Sequence, residues 1–130
     1  MIDVEYDVFD YVYPYVSSLL PEGGFESEFN PSPAVLPHAT LIEMDNYTDR
    51  ATLSSSDVEE FAIVTYEANV YAEDKATCRS IMSGIDQAMT SLNFERLSMR
   101  FISNLADTSI YRYVARFRAA VSNNKTTFRM

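Results

Sequence analysis

The sequence has few of the residues from which catalytic and metal sites are usually built. Its 130 residues include one cysteine, one histidine, three glycines and no tryptophan. A single cysteine excludes an internal disulfide and a thiolate metal cluster. Gly23 and Gly24 are followed by no lysine, so they do not match a phosphate-binding loop. No apolar run approaches the ~20 residues that span a bilayer.

The two residues with nucleophilic or acid–base chemistry both have a simpler interpretation. His38 is at the entrance of a predicted strand, and a lone histidine in such a place is more often a polar surface residue than a general base. Cys78 lies on the apolar stripe of a predicted helix, which predicts a buried small residue and not a thiolate. We therefore expect no catalysis, no cofactor and no metal. The acidic start of the chain shows no signal or transit peptide, so we expect a protein made in a cytoplasm.

Bases are almost missing from the first half of the chain. Residues 1–74 contain 16 acids and one base, a net charge of −15, whereas residues 75–130 contain nine bases and three acids, a net charge of +6. The total of −9 disfavours strong binding of the whole protein to nucleic acid. Two interpretations remain open. The halves neutralise each other within the fold, or opposite charges meet between neighbouring copies in a head-to-tail ring.

The clearest structural pattern runs from residue 74 to residue 121, where a helix is followed by two strands. Asp74 is the predicted N-cap of this helix, and Gly84 within it suggests close packing against a sheet. The apolar spacing then changes from a helical period to strict alternation, which is typical of a helix leading into a β-hairpin. The helical stripe comprises Cys78, Ile81, Met82, Ile85, Met89 and Leu92, and the apolar strand positions are Leu97, Met99, Phe101, Tyr111, Tyr113, Ala115, Phe117, Ala119 and Val121.

The rest of the chain supplies one more helix and about three more strands. Residues 3–20 predict an amphipathic helix that is capped by Asp3 and is kinked or broken near Tyr13 by Pro14. Residues 25–29, 39–44 and 60–72 predict strands, and the last is long enough to be central. Residues 45–59 predict a long polar loop, and residues 122–130 a flexible tail. The chain therefore predicts a single α+β domain over residues 1–130. Two helices would pack on a mixed or antiparallel sheet of about four or five strands.

Five arginines form the main candidate site. By strand alternation, two share one face of the first hairpin strand, and three share the outward face of the second. The simpler interpretation is a solvated sheet face whose arginines pair with local acids such as Glu67. The functional one is an interface or a pore-facing surface of an assembly, where the arginines meet acids or nucleic acid. The candidate interface residues are Arg96, Arg100, Arg112, Arg116 and Arg118. The polar loop is a second candidate contact, through Asp45, Asn46, Tyr47, Asp49, Arg50, Ser54, Ser55, Ser56 and Asp57.

The order of these elements resembles that of the tail terminator, or tail-completion, proteins of long-tailed bacteriophages. An acidic amphipathic helix leads through a proline-containing segment, residues 30–37, to a strand. The long strand ends at residues 70–72 and runs directly into the helix that carries Ile81, Ile85, Asp86 and Met89. That helix ends at residues 92–96, and the last strand runs over residues 110–117. The resemblance covers nearly the whole chain.

This resemblance implies a structural virion protein without catalysis, cofactor or metal. Its members form a ring, typically a hexamer, at the head-proximal end of the tail tube. There the ring stops tube polymerisation and joins the tail to the head connector, with DNA passing only through the ring lumen. The implied partners are other copies of the chain, the tail tube protein and the connector. Another neck or head-completion protein and a non-viral adaptor domain are the alternatives.

Overall fold

A computed structural model describes residues 2–28, 33, 35–48, 61–102, 109–122, 125, 127 and 128. Its two helices pack on one face of a mixed six-stranded sheet, which confirms the α+β prediction. Four strands are long and two have two residues each. The elements are α1 (Glu5–Val16), β1 (Phe25–Glu26), β2 (His38–Thr48), β3 (Phe61–Ala72), α2 (Lys75–Ser91), β4 (Glu95–Ile102), β5 (Tyr111–Ser122) and β6 (Thr127–Phe128).

The sheet has the order β1-β2-β3-β5-β4, with β6 paired to β5 beyond the end of β4. Only β1 and β2 run parallel, and every other pair is antiparallel. Strand β3 lies at the centre, as its length predicts. Alternate β3 residues from Ala62 to Ala72 face the helices and are buried.

Helix α2 begins as the sequence predicts. The Asp74 carboxylate accepts hydrogen bonds from the backbone N–H of Thr77 at 2.7 Å and from its hydroxyl at 2.9 Å. These bonds lower the pKa of Asp74. Gly84 is a close-packing position, but its neighbour is helix α1 and not the sheet. A Cβ at this position would lie 2.8 Å from the carbonyl oxygen of Tyr15 and 3.2 Å from Val16 Cγ1.

Helix α1 is shorter than the predicted range. It begins at Glu5 and ends at Val16, two residues after Pro14. Proline cannot donate to the carbonyl of Asp10, which weakens the last turn and accounts for the early end. The N-cap residue is Val4 and has no side-chain cap; Asp3 instead accepts a hydrogen bond from the N–H of Glu5 at 3.2 Å.

Two predicted irregular segments contain strands. Strand β2 continues to Thr48, so the loop prediction is wrong for Asp45–Thr48. Residues 49–59 lie outside the described part of the chain. The cause is a register shift between Glu43 and Asp45, which breaks the alternation that marks a strand. The tail prediction is also wrong in part. Ser122 belongs to β5, and Thr127–Phe128 pairs with it as β6.

Candidate assembly interface

The sheet face that points away from the helices carries four of the five predicted arginines. On β5, three arginines alternate with the residues that enter the core. On β4, Arg100 pairs in register with Val114, which lies between two of them. Directly opposite and diagonal neighbours on paired strands lie within reach of long side chains. The arginine face, as we call this surface, comprises Arg100, Arg112, Arg116 and Arg118.

Part of the arginine face is fixed by a hydrogen-bond network on β3. Arg116 Nε donates to Glu67 Oε2 at 3.0 Å, and Asn69 Nδ2 donates to Glu67 Oε1 at 3.1 Å. Arg112 Nε donates to Asn69 Oδ1 at 2.9 Å, and its guanidinium lies 5.9 Å from the centroid of the Tyr71 ring. The pairing of Arg116 with Glu67 therefore agrees with the simpler interpretation, in which these arginines pair with local acids such as Glu67.

The ion pair leaves the arginine largely free to contact a partner. The side chain of Arg116 is 55% exposed, whereas that of Glu67 is only 11% exposed. Arg100 is also exposed at the β4 edge, and Arg118 is half-buried with no hydrogen-bond partner at its Nε. The network therefore satisfies the buried carboxylate and presents guanidinium groups at the surface. Guanidinium groups suit planar contacts with carboxylates and aromatic rings.

Arg96 is not part of this face, so the prediction that it lies beside Arg100 is wrong. A register shift between Arg96 and Ser98 inserts an extra residue into β4. Arg96 then pairs with the core residue Phe117 and turns toward the helices, where its Nη1 lies 3.3 Å from Asp86 Oδ2. A β-bulge has no reliable signature in a single sequence, and simple alternation cannot detect it.

Part of the predicted contact loop is a strand. Asp45, Asn46 and Tyr47 belong to β2, and Asn46 Nδ2 donates to the carbonyl of Ile2 at 2.7 Å, which ties the strand to the start of the chain. Tyr47 is exposed on the face that carries the arginines. The remaining predicted contacts, Asp49, Arg50, Ser54, Ser55, Ser56 and Asp57, lie outside the described residues.

The lone histidine and cysteine are both buried. His38 is 1% exposed, which contradicts the surface prediction, and its Nε2 lies 3.2 Å from Glu26 Oε1. It begins β2 on the arginine-bearing face, where its register partner is Tyr71. Cys78 is fully buried in the core, as predicted, and burial raises the pKa of its thiol to about 11. A thiol in this state is a poor nucleophile.

A groove beside α1 was not predicted from the sequence. It holds about 390 Å³ and is lined by Asp3, Glu5, Tyr6, Phe9 and Ser27. Phe9 stacks on Phe25 of β1 with ring centroids 4.5 Å apart, whereas Tyr6 is 77% exposed. The sequence did signal these residues as an acidic amphipathic helix. It could not show that Phe9 of this helix stacks on Phe25 of β1.

The acids of this groove also raise the pKa of a partly buried carboxyl, that of Glu43. Burial raises the pKa of Glu43, and the charges of Glu5 and Asp3 raise it further. The Tyr66 hydroxyl donates to Glu43 Oε1 at 3.5 Å, and the pKa of this tyrosine is raised by burial and by the same carboxylates. The start of α1 is therefore a region of concentrated negative charge.

The described ranges also bear on metal binding and on membrane-spanning helices. In this part of the chain, no three histidine, cysteine or acidic residues group in a way that could hold a metal ion. Within the same residues, neither helix has the length and apolar character needed to cross a membrane.

Comparison with known proteins shows a likeness of fold. No family model and no curated protein matches the chain. Among solved structures, a chain from the virion of a native gene transfer agent particle is similar over 91% of both chains, with a TM-score of 0.60 and 14% sequence identity. At this identity the likeness shows that the two chains share a fold. The protein is thus a small α+β domain of a type found in a virion particle.

Proposed function

We propose that the chain is a structural virion protein that forms a ring at the head-proximal end of a bacteriophage tail tube. The ring ends tube polymerisation and joins the tail to the head connector. The observation that carries this proposal is the fold likeness to a chain of a gene transfer agent virion, which extends over 91% of both chains. The resemblance of the element order to tail terminator proteins supports the same conclusion.

The proposed ring is a homohexamer built by contacts between different surfaces of adjacent copies. The arginine face supports such a contact, because it presents clustered guanidinium groups on a chain whose first half is strongly acidic. Contacts between two different surfaces form a ring when the rotation between copies closes. The tail tube protein and the connector are the further partners, and DNA passes through the lumen.

The proposal assigns no catalytic role to the chain. The raised pKa of Cys78 and the burial of His38 both support a structural role, since neither side chain is presented to a substrate. The protein would reside in the tail or neck of the virion and in the host cytoplasm during assembly.

Depletion of the protein in a producing cell tests the function directly. Loss of a tail terminator is expected to give overlong tails that do not join heads, seen by electron microscopy. Negative-stain images of the purified protein are expected to show rings with six-fold symmetry. Tails of normal length that join heads would contradict the proposal.

A second candidate is another neck or head-completion protein, because the same fold likeness to a virion chain is compatible with it. In that case depletion would leave tails of normal length beside tail-less heads. Tail length therefore separates the two candidates.

A further inference from the structure

We propose that the groove beside α1 receives the arginine face of a second copy of the chain. This inference rests on the proposed ring and identifies the surface that the arginine face contacts. That surface, the α1 groove, is lined by Asp3, Glu5, Tyr6, Phe9 and Ser27.

The two surfaces lie at opposite lateral ends of the molecule. The strand order β1-β2-β3-β5-β4 places β1 at one edge and the β5–β4 pair at the other. Phe9 stacks on Phe25 of β1, so the α1 groove lies at the β1 edge. Arg100 and Arg116 lie on β4 and β5, at the far edge. A contact from one edge to the opposite edge of the next copy leaves both end surfaces available for further copies, as a ring requires.

The chemistry of the groove fits guanidinium groups. It presents the carboxylates of Asp3 and Glu5 beside the exposed ring of Tyr6, and none of the described residues that line it is a base. Arginine binds carboxylates through paired N–H groups and also stacks on aromatic faces. The raised pKa of Glu43 has Glu5 and Asp3 among its causes, so the field at this end of α1 is negative. Such a surface favours a partner that carries several arginines.

The aromatic surface continues along the helix. A smaller groove of about 190 Å³ includes Tyr13, Glu22 and Phe25 in its lining, and the ring centroids of Tyr13 and Phe25 are 6.3 Å apart. Phe25 therefore connects the two grooves through its contacts with Phe9 and Tyr13. Together they form an extended strip with acids at both ends.

The dimensions of the two surfaces match. Along a helix that rises about 1.5 Å per residue, Glu5 and Tyr13 are separated by about 12 Å. Along a strand that rises about 3.3 Å per residue, Arg112 and Arg116 are separated by about 13 Å. Successive arginines of β5 can therefore meet successive groups on the α1 edge. This matching spacing allows several contacts to form at once between the two surfaces, whereas a single ion pair would not require it.

A mixing experiment with two variants tests this contact. The groove variant is Glu5→Arg/Tyr6→Ala, which keeps the arginine face. The arginine variant is Arg100→Glu/Arg116→Gln, which keeps the groove, and its glutamine can still donate to Glu67. Sedimentation velocity at low salt measures the mass of each variant alone and of the equimolar mixture. Thermal unfolding of each variant establishes that it is folded.

The inference predicts that the wild-type chain assembles and that each variant alone is monomeric. Each variant retains one of the two surfaces, so the mixture is expected to give a 1:1 dimer and nothing larger. The mixed pair should bind at least tenfold more tightly than either variant binds itself. A mixture that stays monomeric, a groove variant that assembles like the wild type, or a wild-type chain that stays monomeric overturns the inference.

Asp7→Arg is the matched control. It makes the same charge change on the same helix, but Asp7 does not line the groove and instead lies 3.1 Å from the ammonium of exposed Lys125. This variant should assemble like the wild type. Loss of assembly here would mean that overall charge, not the groove, drives association, and would overturn the inference.

The mixing experiment and the depletion experiment can fail separately. Sedimentation measures only contacts between copies of this chain, whereas tail length measures the role in the virion. A ring that survives the groove variant would leave the virion function standing and exclude this contact. Normal tails without the protein would exclude the function and leave the contact standing.

Discussion

Arg96 and Arg100 are four residues apart on β4 and lie on opposite faces of the sheet. The register shift between Arg96 and Ser98 separates them: Arg96 pairs with the core residue Phe117, and Arg100 pairs with Val114 on the other face. Arg96 contacts Asp86 of α2, within its own chain. Because of this β-bulge, Arg96 forms an ion pair within the fold and Arg100 belongs to the arginine face.

We expect Arg96→Glu and Arg100→Glu to have different effects. Arg96→Glu places a carboxylate beside Asp86 and should lower the free energy of unfolding by about 0.5–1 kcal/mol, since both side chains are partly exposed. Assembly should be retained. Arg100→Glu should leave the free energy of unfolding nearly unchanged and weaken assembly. Urea unfolding and sedimentation velocity on both variants check this, and equal loss of assembly in the two would contradict it.

The Glu67–Arg116 pair predicts an asymmetry between its two partners. The carboxylate is buried and the guanidinium is mostly exposed. Arg116→Ala leaves a buried carboxylate with only Asn69 as a partner, which should cost roughly 1–3 kcal/mol. Glu67→Gln leaves an arginine that water can solvate, so it should cost less than about 1 kcal/mol. Chemical denaturation of both variants measures the difference.

The same asymmetry affects how the arginine face can be tested. Arg116→Glu would place a second carboxylate beside that of Glu67 and is expected to break the hydrogen-bond network on β3. Arg116→Gln removes the charge and keeps a donor near Glu67. If Glu67→Gln proves more costly than Arg116→Ala, the burial argument for this pair is wrong.

The sequence predicted those parts of the structure that depend on periodic burial. The alternation of Ala115, Phe117 and Ala119 correctly placed one face of β5 in the core, and the length of residues 60–72 correctly placed β3 at the centre of the sheet. Alternation failed where a single residue interrupts it. The shift after Glu43 hid the second half of β2, and the shift after Arg96 misplaced that arginine. Bulges change which side chain faces which way without changing composition, so a period-based prediction cannot locate them.

The candidate surfaces show a similar division. The β5 arginines were predictable because their strand is regular. The burial of His38 was not, because it depends on pairing between β2 and residues distant in sequence. The α1 groove depends on how α1 packs beside β1, which is a tertiary property.

Gly84→Ala should destabilise the protein although alanine favours helices. The new Cβ would lie 2.8 Å from the Tyr15 carbonyl oxygen, a backbone atom that cannot move without shifting α1. Overpacking of this kind costs roughly 1–3 kcal/mol, and the gain in helix propensity is at most about 1 kcal/mol. We expect a net loss in the free energy of unfolding by urea.

Ser83→Ala is the control for this substitution. Ser83 is exposed on the same helix, so the change should be neutral or slightly stabilising. A stabilised Gly84→Ala variant would mean that the two helices separate easily and that the glycine is not required for their contact.

Glu43→Gln should stabilise the protein near neutral pH, and the gain should disappear in acid. Burial, together with Glu5 and Asp3, raises the pKa of Glu43 in the folded state. A raised pKa means that folding favours the protonated form of Glu43. The resulting contribution to the free energy of unfolding is complete below the ordinary glutamate pKa, and it is lost as the pH rises through the raised pKa of the folded state. Glutamine is uncharged throughout and avoids this loss. The expected gain at pH 7 is on the order of 0.5–1 kcal/mol.

Urea unfolding of the wild type and the variant at pH 7 and pH 4 measures this difference. Glu22→Gln removes one negative charge from an exposed position and controls for the general effect of net charge. It should change the free energy of unfolding by less than about 0.5 kcal/mol. A Glu43→Gln gain that persists unchanged at pH 4 would mean that packing, and not the charge of Glu43 beside Glu5 and Asp3, sets the stability of this region.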